Sequence, residues 1–310
     1  MIFPSYFETK KSLQLFGLND SFNLLKSLYT NKKLPNALML SGEKGSGKST
    51  LINHLLFFIF DNQNYNEENN QFKNNSLFYN QFLDNIFSNI IYLSGSEFKN
   101  VKIEDIRNLK KKIFQSTILD KPRFIIFDDV ELFNNNSLNA LLKIIEEPSD
   151  SNFFCLINNK SKPLIDTIKS RCLEFKVILN EQERTMITHS LIDKYKIDLV
   201  FDQNLFQLSP GHFIKFNYIF TKNKISLEGD FIKNLSLFLD LYKKNKDAIY
   251  MNIISFLIAN YFKSKKNYFF SKDKLIENKR YVFDNINKFF LYNLNQNALL
   301  NNIDNKINNE

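Results

Sequence analysis

Short apolar runs alternate with helix-like periodicity between about residues 38 and 175. Four runs are bounded by polar or turn residues, at 37–40, 90–93, 124–127 and 153–157. Runs of this length, apolar at nearly every position, are typical of parallel strands that are buried on both faces. The pattern therefore predicts an α/β domain, in which helices flank a parallel sheet.

Helical spacing of apolar positions predicts helices between these strands. One begins near Lys48, a second carries apolar residues at 103, 106, 109 and 113, and a third spans about 136–146 before Pro148. The stretch 61–75 is polar, rich in asparagine and without a period. It predicts a loop or a partly disordered insertion.

The strand pattern ends after about Val177, and the remainder of the chain predicts helices. Amphipathic stretches cover 181–195, 234–242, 249–262 and 274–294, and the turn Ser209-Pro210-Gly211 starts a further helix. The polar last ten residues, 301–310, are expected to fray. The C-terminal third is thus predicted to be a helical bundle.

Length and composition are those of an ordinary globular protein. The 310 residues allow two or three domains, and 44% hydrophobic with 24% charged residues excludes a wholly disordered or fibrous chain. A net charge of +8 suits a polyanionic partner such as nucleic acid without establishing one. Two cysteines are too few for a disulfide framework or a four-cysteine zinc site. With neither a secretory leader nor a membrane-length apolar run, we expect a soluble cytoplasmic protein with no membrane contact.

The segment 42–50 fits the phosphate-loop pattern G-x-x-x-x-G-K-[ST] and stands directly between a predicted strand and a predicted helix. Glycines let the backbone N–H groups turn towards a phosphate, and the helix N-terminus adds a partial positive charge. Lys48 is expected to reach the β- and γ-phosphates of ATP, and Ser49 to ligate Mg²⁺. The other candidate nucleotide-binding residues of the loop are Gly42, Gly45, Ser46, Gly47 and Thr50.

An acidic pair follows the third predicted strand. Asp128 stands at the end of the apolar run 124–127, where a carboxylate can hold the Mg²⁺ that accompanies ATP. Asp129 is a candidate for a weak catalytic base. Its side chain is shorter than that of glutamate, and a misplacement of ~1 Å can cost about a hundredfold in rate. We therefore expect ATP binding with weak or absent hydrolysis.

Several further motifs resemble the clamp-loader branch of the AAA+ ATPases. The segment NSLNALLKIIEEP at 136–148 is similar to the helix that marks this branch, and Ser170-Arg171-Cys172 matches its SRC motif. Residues 15–17, 34–37 and 101–107 also look like the bacterial DNA polymerase III subunits, most of all the delta-prime type. The resemblance covers about residues 16–175. It implies an AAA+ P-loop domain over 1–178, a small helical lid over 179–225 and an α-helical collar for oligomerisation over 226–310.

The resemblance also implies partners and residue roles. The partners are gamma/tau and delta clamp-loader subunits in a pentameric ring, which opens the sliding clamp and places it on primed DNA. Arg171 would act in trans as an arginine finger on the γ-phosphate that the neighbouring subunit binds. Asn158 and Asn159 follow the strand at 153–157, where the family has its sensor-1 contact to the nucleotide.

Three departures from the family pattern argue against a hydrolytic motor subunit. Residues 61–90 lack the four cysteines of the family's zinc module, so we predict no zinc. Asp129 stands where the ATPase subunits have glutamate, and no arginine stands at the sensor-2 position, where His212 is expected to be a helix-surface residue. Three alternatives stay open: a gamma/tau-type ATPase subunit, a stand-alone P-loop NTPase or kinase using Arg171 in cis, and a structural ring member that binds no nucleotide.

Overall fold

A computed structural model describes residues 4–95, 108, 121–146, 151–201, 208–265 and 272–308. The helix predicted around residues 103–113 lies outside the described residues except for residue 108, which is helical. The chain divides into two compact units. The first comprises Ile2–Ile197 and Asp202–Lys215, and the second comprises Asp198–Phe201 and Phe216–Glu310.

The first unit contains a five-stranded parallel sheet and a small antiparallel hairpin. In chain order the strands are β1 (Ala37–Ser41), β2 (Tyr65–Asn66), β3 (Gln71–Phe72), β4 (Ile90–Ser94), β5 (Arg123–Asp128), β6 (Asn152–Asn158) and β7 (Leu173–Lys176). The order across the sheet is β4-β5-β6-β1-β7, and β2 pairs with β3 in the hairpin. All four predicted strands are confirmed. The pattern missed β7 because this edge strand is largely exposed and mixes apolar with charged residues.

The parallel register brings the carboxyl ends of the central strands to one edge of the sheet. Ser41 of β1 is opposite Asn158 of β6, and Ser94 of β4 is opposite Asp128 of β5. The phosphate loop follows β1, and the acidic pair and the asparagine pair begin at the last residues of β5 and β6. Ligands of open α/β sheets bind at this edge, so the sheet brings the candidate residues to the expected place.

Helices cover both faces of the sheet. The α-helices that the described residues of the first unit form are α1 (Asn19–Thr30), α2 (Lys48–Phe60), α3 (Leu77–Leu83), α4 (Asn135–Ile145), α5 (Asp166–Lys169), α6 (Glu181–Tyr195) and the beginning of α7 (Pro210–Asn223). Phe124 and Ile126 of β5 pack into one hydrophobic core with α1 and α2, whereas Ile125 and Phe127 pack into a second core with α4 and α5. This alternation is the period of two expected for a strand buried on both faces.

The expectation of a loop over 61–75 is wrong, because this stretch contains the β2–β3 hairpin. Tyr65 and Phe72 are buried, and the rings of Phe57 and Phe72 stack with their centroids 4.5 Å apart. Phe82 of α3 meets Phe57 edge-on at 5.3 Å. Two well-placed aromatic residues anchor a segment whose average composition is that of a loop.

The described secondary structure of the second unit consists of helices. After the rest of α7 come α8 (Phe231–Asn245), α9 (Ala248–Ser264), α10 (Lys272–Tyr292) and α11 (Gln296–Asn308). The predicted α/β class with a helical C-terminal region is therefore confirmed, whereas its division into lid and collar stays a prediction. The expected fraying of 301–310 is wrong as far as residue 308, because α11 continues there and Ile303 is fully buried. In the described part of the chain, no helix is long and apolar enough to cross a bilayer.

Candidate functional site

The phosphate loop joins β1 to α2 and depends on its glycines. Gly45 and Gly47 have φ of +85° and +92°, a left-handed conformation that side chains disfavour. A Cβ atom on Gly45 would lie 2.6 Å from Ser209 Oγ, and one on Gly47 would lie 2.8 Å from Leu18 Cδ1. Both the backbone conformation and the packing therefore require glycine at these two positions.

The N-terminus of α2 fits an anion. Gly47 is the N-cap and supplies no side-chain hydrogen bond, and the N–H of Leu51 makes a 2.8 Å bond to the Gly47 carbonyl oxygen. The N–H groups of Lys48, Ser49 and the half-buried Thr50 precede that bond in the first turn. Such N–H groups, together with the helix dipole, form the usual phosphate site at the start of a helix.

The loop's own carbonyl groups hold the Lys48 ammonium group. Lys48 is 2% exposed, and its Nζ donates to the carbonyl oxygens of Gly42 at 2.9 Å and Glu43 at 2.6 Å. Ser46, which is also buried, has its Oγ 3.4 Å from the same nitrogen. The ammonium group therefore lies inside the curve of the loop, where the phosphate-loop pattern predicts the β- and γ-phosphates.

Charged neighbours compete in setting the pKa of Lys48. Burial lowers it to about 8, and the nearby Lys44 lowers it as well. The carboxylates of Asp128, Glu131 and Asp129 raise it. Since an ammonium group is favoured by nearby negative charge, a bound phosphate would hold Lys48 in its protonated form.

Asp128 ends β5 and meets three donors. Its Oδ2 accepts from the Ser49 hydroxyl at 3.2 Å and from the Tyr92 hydroxyl at 2.6 Å, and its Oδ1 accepts from the Asp129 N–H at 2.9 Å. Burial raises the pKa of Asp128, while the hydrogen bonds from Tyr92, Asp129 and Ser49 lower it. A hydroxyl and a carboxylate this close together are oxygen ligands of the kind that Mg²⁺ prefers. Sequence reasoning identified Ser49 and Asp128 but missed Tyr92 of β4.

Asp129 is buried in a network of its own. It adopts a left-handed conformation with φ of +50°, and its two carboxylate oxygens lie 2.9 Å and 3.1 Å from Lys44 Nζ. The side-chain amide of Asn159 donates to Asp129 Oδ1 at 2.8 Å. The candidate base is therefore paired with a lysine of the phosphate loop.

The two predicted asparagines occupy different positions. The Asn159 side chain donates to Asp129, whereas the Asn158 side chain accepts from the Lys160 N–H at 2.9 Å. The carbonyl oxygen of Asn158 accepts from the Gly42 N–H at 3.2 Å and so supports the start of the phosphate loop. Asn159 is thus the better placed of the two for a sensor-1 role.

Glu131 is a site residue that sequence reasoning missed. It is buried in the short 3₁₀-helix Val130–Leu132 and accepts from the Asn159 N–H at 3.2 Å and the Ser161 hydroxyl at 2.7 Å. These bonds fix the loop that carries Asn159. An acidic residue inside the otherwise apolar turn Val130-Glu131-Leu132 was the signal in the sequence.

The start of α7 lies against the phosphate loop. Ser209 Oγ donates to the Lys44 carbonyl oxygen at 2.6 Å, and the Gly211 N–H donates to the Gly45 carbonyl oxygen at 3.0 Å. The expectation that His212 is a helix-surface residue is wrong. His212 is partly buried beside the loop, and burial lowers its pKa to about 4, helped by nearby lysines that include Lys44.

Arg171 lies on the surface at the end of α5. Its side chain is 38% exposed and forms an ion pair with Glu146 through Nε, while Nη1 donates to the Thr167 carbonyl oxygen at 3.0 Å. Neither partner belongs to the phosphate loop or to the acidic pair. The structure thus brings every predicted site residue except Arg171 to the carboxyl edge of the sheet. Among the described residues, no group of three or more His, Cys, Asp or Glu side chains could hold a metal ion.

Comparison with known proteins places this geometry in a family. A family model described as "DNA polymerase III, delta subunit" matches residues 17–180. A DNA polymerase III subunit delta' of Buchnera aphidicola subsp. Baizongia pistaciae is 32% identical over 81 residues, which are 26% of this chain and 24% of that protein. A subunit gamma of Buchnera aphidicola subsp. Acyrthosiphon pisum is 28% identical over 169 residues, 54% of this chain and 45% of that protein.

A solved structure is similar along most of the chain. The crystal structure of a DNA polymerase III gamma-subunit-related protein from Thermotoga maritima has a TM-score of 0.47 and 15% identity, and the alignment covers 91% of this chain and 96% of that one. The chain spans less than half the length of either curated relative. Because the family model covers more than half of its 310 residues, the chain belongs to the DNA polymerase III delta-subunit family.

Proposed function

We propose that this chain is a delta-prime-type subunit of a DNA polymerase III clamp loader, which binds ATP with Mg²⁺ and hydrolyses it slowly or not at all. One observation carries the proposal: a phosphate loop with Lys48 and Ser49 in place lies beside a candidate base, Asp129, that is paired with Lys44. This combination favours holding a nucleotide over turning it over.

The groups at the carboxyl edge of the sheet have separate proposed roles in the binding of ATP. The N–H groups at the start of α2 would bind phosphate oxygens, and Lys48 would exchange the carbonyl oxygens of Gly42 and Glu43 for the β- and γ-phosphates. Ser49 and Asp128 would hold Mg²⁺, which when bound neutralises phosphate charge. Asn159 would contact the γ-phosphate region through its side chain.

The proposed function also gives Arg171 a role outside the nucleotide site of its own chain. It is exposed, and its contacts with Glu146 and Thr167 leave it on the surface at the end of α5. A guanidinium group in that position suits action in trans, on ATP bound by a neighbouring subunit. The partners would be gamma/tau and delta subunits in a pentameric ring, the sliding clamp and primed DNA, in the cytoplasm.

The test is the clamp- and DNA-stimulated ATPase of a loader reconstituted with its partner subunits. Arg171→Ala should lower the rate at one partner site by a hundredfold or more, since arginine fingers contribute about 10³ to 10⁵ in rate. Arg280→Ala is the control, because Arg280 is an exposed arginine of α10 in the second unit. An unchanged rate with Arg171→Ala would contradict the role in trans.

The gamma/tau-type subunit is the second candidate, and the longer alignment with a gamma subunit favours it. A gamma/tau-type subunit would itself hydrolyse ATP when stimulated by the clamp. Such hydrolysis is measured in a ring in which this subunit alone keeps an intact phosphate loop. Turnover there at the rate of the full ring would favour the gamma/tau type, whereas bound but unhydrolysed ATP supports the delta-prime type.

A further inference from the structure

Lys44 joins the phosphate loop to the candidate base. Its Nζ lies 2.9 Å and 3.1 Å from the two carboxylate oxygens of Asp129. Its backbone carbonyl oxygen accepts from Ser209 Oγ at 2.6 Å, which anchors that part of the loop to the start of α7. The Lys44 side chain is 41% exposed, whereas Asp129 is 3% exposed, so the ion pair covers a buried carboxylate from the solvent side.

The carboxylate of Asp129 is engaged at both oxygens. Lys44 donates to each oxygen, and the Asn159 amide donates to Oδ1 at 2.8 Å, so at least three of about four lone-pair positions are occupied. The left-handed backbone of Asp129 and the bond from its N–H to Asp128 fix the residue further. A general base needs a lone pair directed at the water, and an adjacent cation weakens a carboxylate as a proton acceptor.

We infer that Lys44 keeps ATP hydrolysis slow in this chain by holding Asp129 as an ion pair, so that Asp129 does not take the proton of the attacking water. The inference rests on the proposed binding of ATP. In hydrolysis the water oxygen bonds to the γ-phosphorus and the bond from that phosphorus to the β–γ bridging oxygen breaks. ADP leaves, and one water proton passes to the base. Lys44 acts through Asp129 and is a positioning residue.

The test is single-turnover ATP hydrolysis by the purified full chain in excess over ATP and with Mg²⁺. Lys44→Met keeps the length of the side chain and removes its charge. We expect the hydrolysis rate to rise at least tenfold while ATP affinity stays within threefold of the parent. A gain in rate without a change in affinity is a split that a merely structural role would not produce. Lys44→Arg keeps the ion pair and should behave like the parent.

A double variant shows whether the effect passes through Asp129. Adding Asp129→Asn to Lys44→Met should return the rate to that of the parent. The inference is overturned if Lys44→Met leaves the rate unchanged or lowers it, if it weakens ATP binding beyond threefold, or if the gain survives in the double variant. Since the Lys44 side chain is 41% exposed, we expect Lys44→Met to fold. Lys44→Gln, with the same expected gain, provides a second uncharged variant.

ATP binding is measured separately from hydrolysis, so the proposed ATP binding and the inferred role of Lys44 can be tested one at a time. Lys48→Ala serves as the reference without ATP binding. A parent chain whose ATP affinity equals that of Lys48→Ala would overturn the proposed binding and this inference together. A parent chain that binds ATP, with a rate that Lys44→Met does not raise, would overturn this inference alone.

Discussion

The hydroxyl of Tyr92 and the hydroxyl of Ser49 reach the same carboxylate oxygen of Asp128 from two different elements, β4 and α2. Hydrogen bonds to a carboxylate favour its charged form, and here they oppose the burial that raises the pKa of Asp128. Asp128 can serve a cation only while it is ionised. Tyr92 therefore supports the proposed Mg²⁺ site although it lies outside the phosphate loop.

Tyr92→Phe should weaken the Mg²⁺-dependent part of ATP binding about tenfold, since a hydrogen bond to a charged group contributes ~1.5 kcal/mol or more. Loss of the bond raises the pKa of Asp128 further, so the defect should be larger at pH 6 than at pH 8. Titrating Mg²⁺ at constant ATP at both pH values measures this. Tyr242→Phe, which removes a hydroxyl from the second unit, is the matched control. An equal Mg²⁺ requirement in Tyr92→Phe and the parent would contradict the supporting role.

Motifs that are local in sequence could be predicted, and contacts between distant segments could not. The phosphate loop and Asp128 follow from short patterns next to predicted strands. Tyr92 stands 36 residues from Asp128, and their contact depends on the β4–β5 register. The pairing of Lys44 with Asp129 spans 85 residues, so periodicity along the chain contains no signal for it.

At the scale of elements, the β2–β3 hairpin is tied to α2 through a buried histidine. His54 Nε2 lies 3.0 Å from the Ser12 carbonyl oxygen, which can only accept, so this nitrogen carries the proton. In the neutral ring Nδ1 then accepts from the Tyr65 hydroxyl at 2.9 Å. Burial lowers the pKa of His54 to about 4, so the folded chain favours the neutral ring.

This histidine should make the folded chain less stable in acid. Because its pKa is lowered from 6.5 to about 4, its contribution to stability is complete above pH 6.5 and is lost as the pH falls towards 4. The loss is on the order of 3 kcal/mol. Urea unfolding from pH 4.5 to pH 7.5 should therefore show a shallower pH dependence in His54→Gln than in the parent. The pKa of His212 is also lowered, so His54→Gln should keep some of the pH dependence of stability.

The exposed residue His189 of α6 gives the matched control for this measurement. His189→Gln should keep the slope of the parent. The readout is the pH dependence of the free energy of unfolding. The value at a single pH is not used, since any substitution at a buried position lowers stability. Identical slopes for His54→Gln and the parent would contradict the account of a neutral buried ring.

Elements could be predicted where their apolar pattern is long and regular. They were missed where the structure depends on the burial of a few residues. The strands at 90–93 and 124–127 are nearly continuous apolar runs, and sequence alone finds them. The β2–β3 hairpin depends on Tyr65 and Phe72 within an asparagine-rich stretch, so composition masks it. The end of α11 likewise depends on a buried Ile303 among asparagines. In both places the burial of a few apolar side chains outweighs the polar average composition of the segment.

At the scale of the whole molecule, the exposed arginine and the phosphate loop have separate places in the proposed function. The loop residues are packed within the first unit, whereas the Arg171 side chain lies on its surface, paired with Glu146. An exposed ion pair contributes about 0–1 kcal/mol, so Glu146 holds the guanidinium group only weakly. A neighbouring γ-phosphate could therefore compete for Arg171 at little cost.

Two conservative changes should then behave differently in a reconstituted loader. Arg171→Lys keeps the charge but loses the planar fork that binds two phosphate oxygens, so it should lower the partner's ATPase at least tenfold. Glu146→Gln breaks only the weak ion pair and should change that rate less than threefold, and neither change should alter the melting temperature of the isolated chain by more than a few degrees. Stimulated ATPase of the assembled ring, measured at two salt concentrations, makes the comparison. If Arg171→Lys kept the full rate while Glu146→Gln reduced it, the ion pair rather than the fork would matter, and Arg171 would be a structural residue of its own chain.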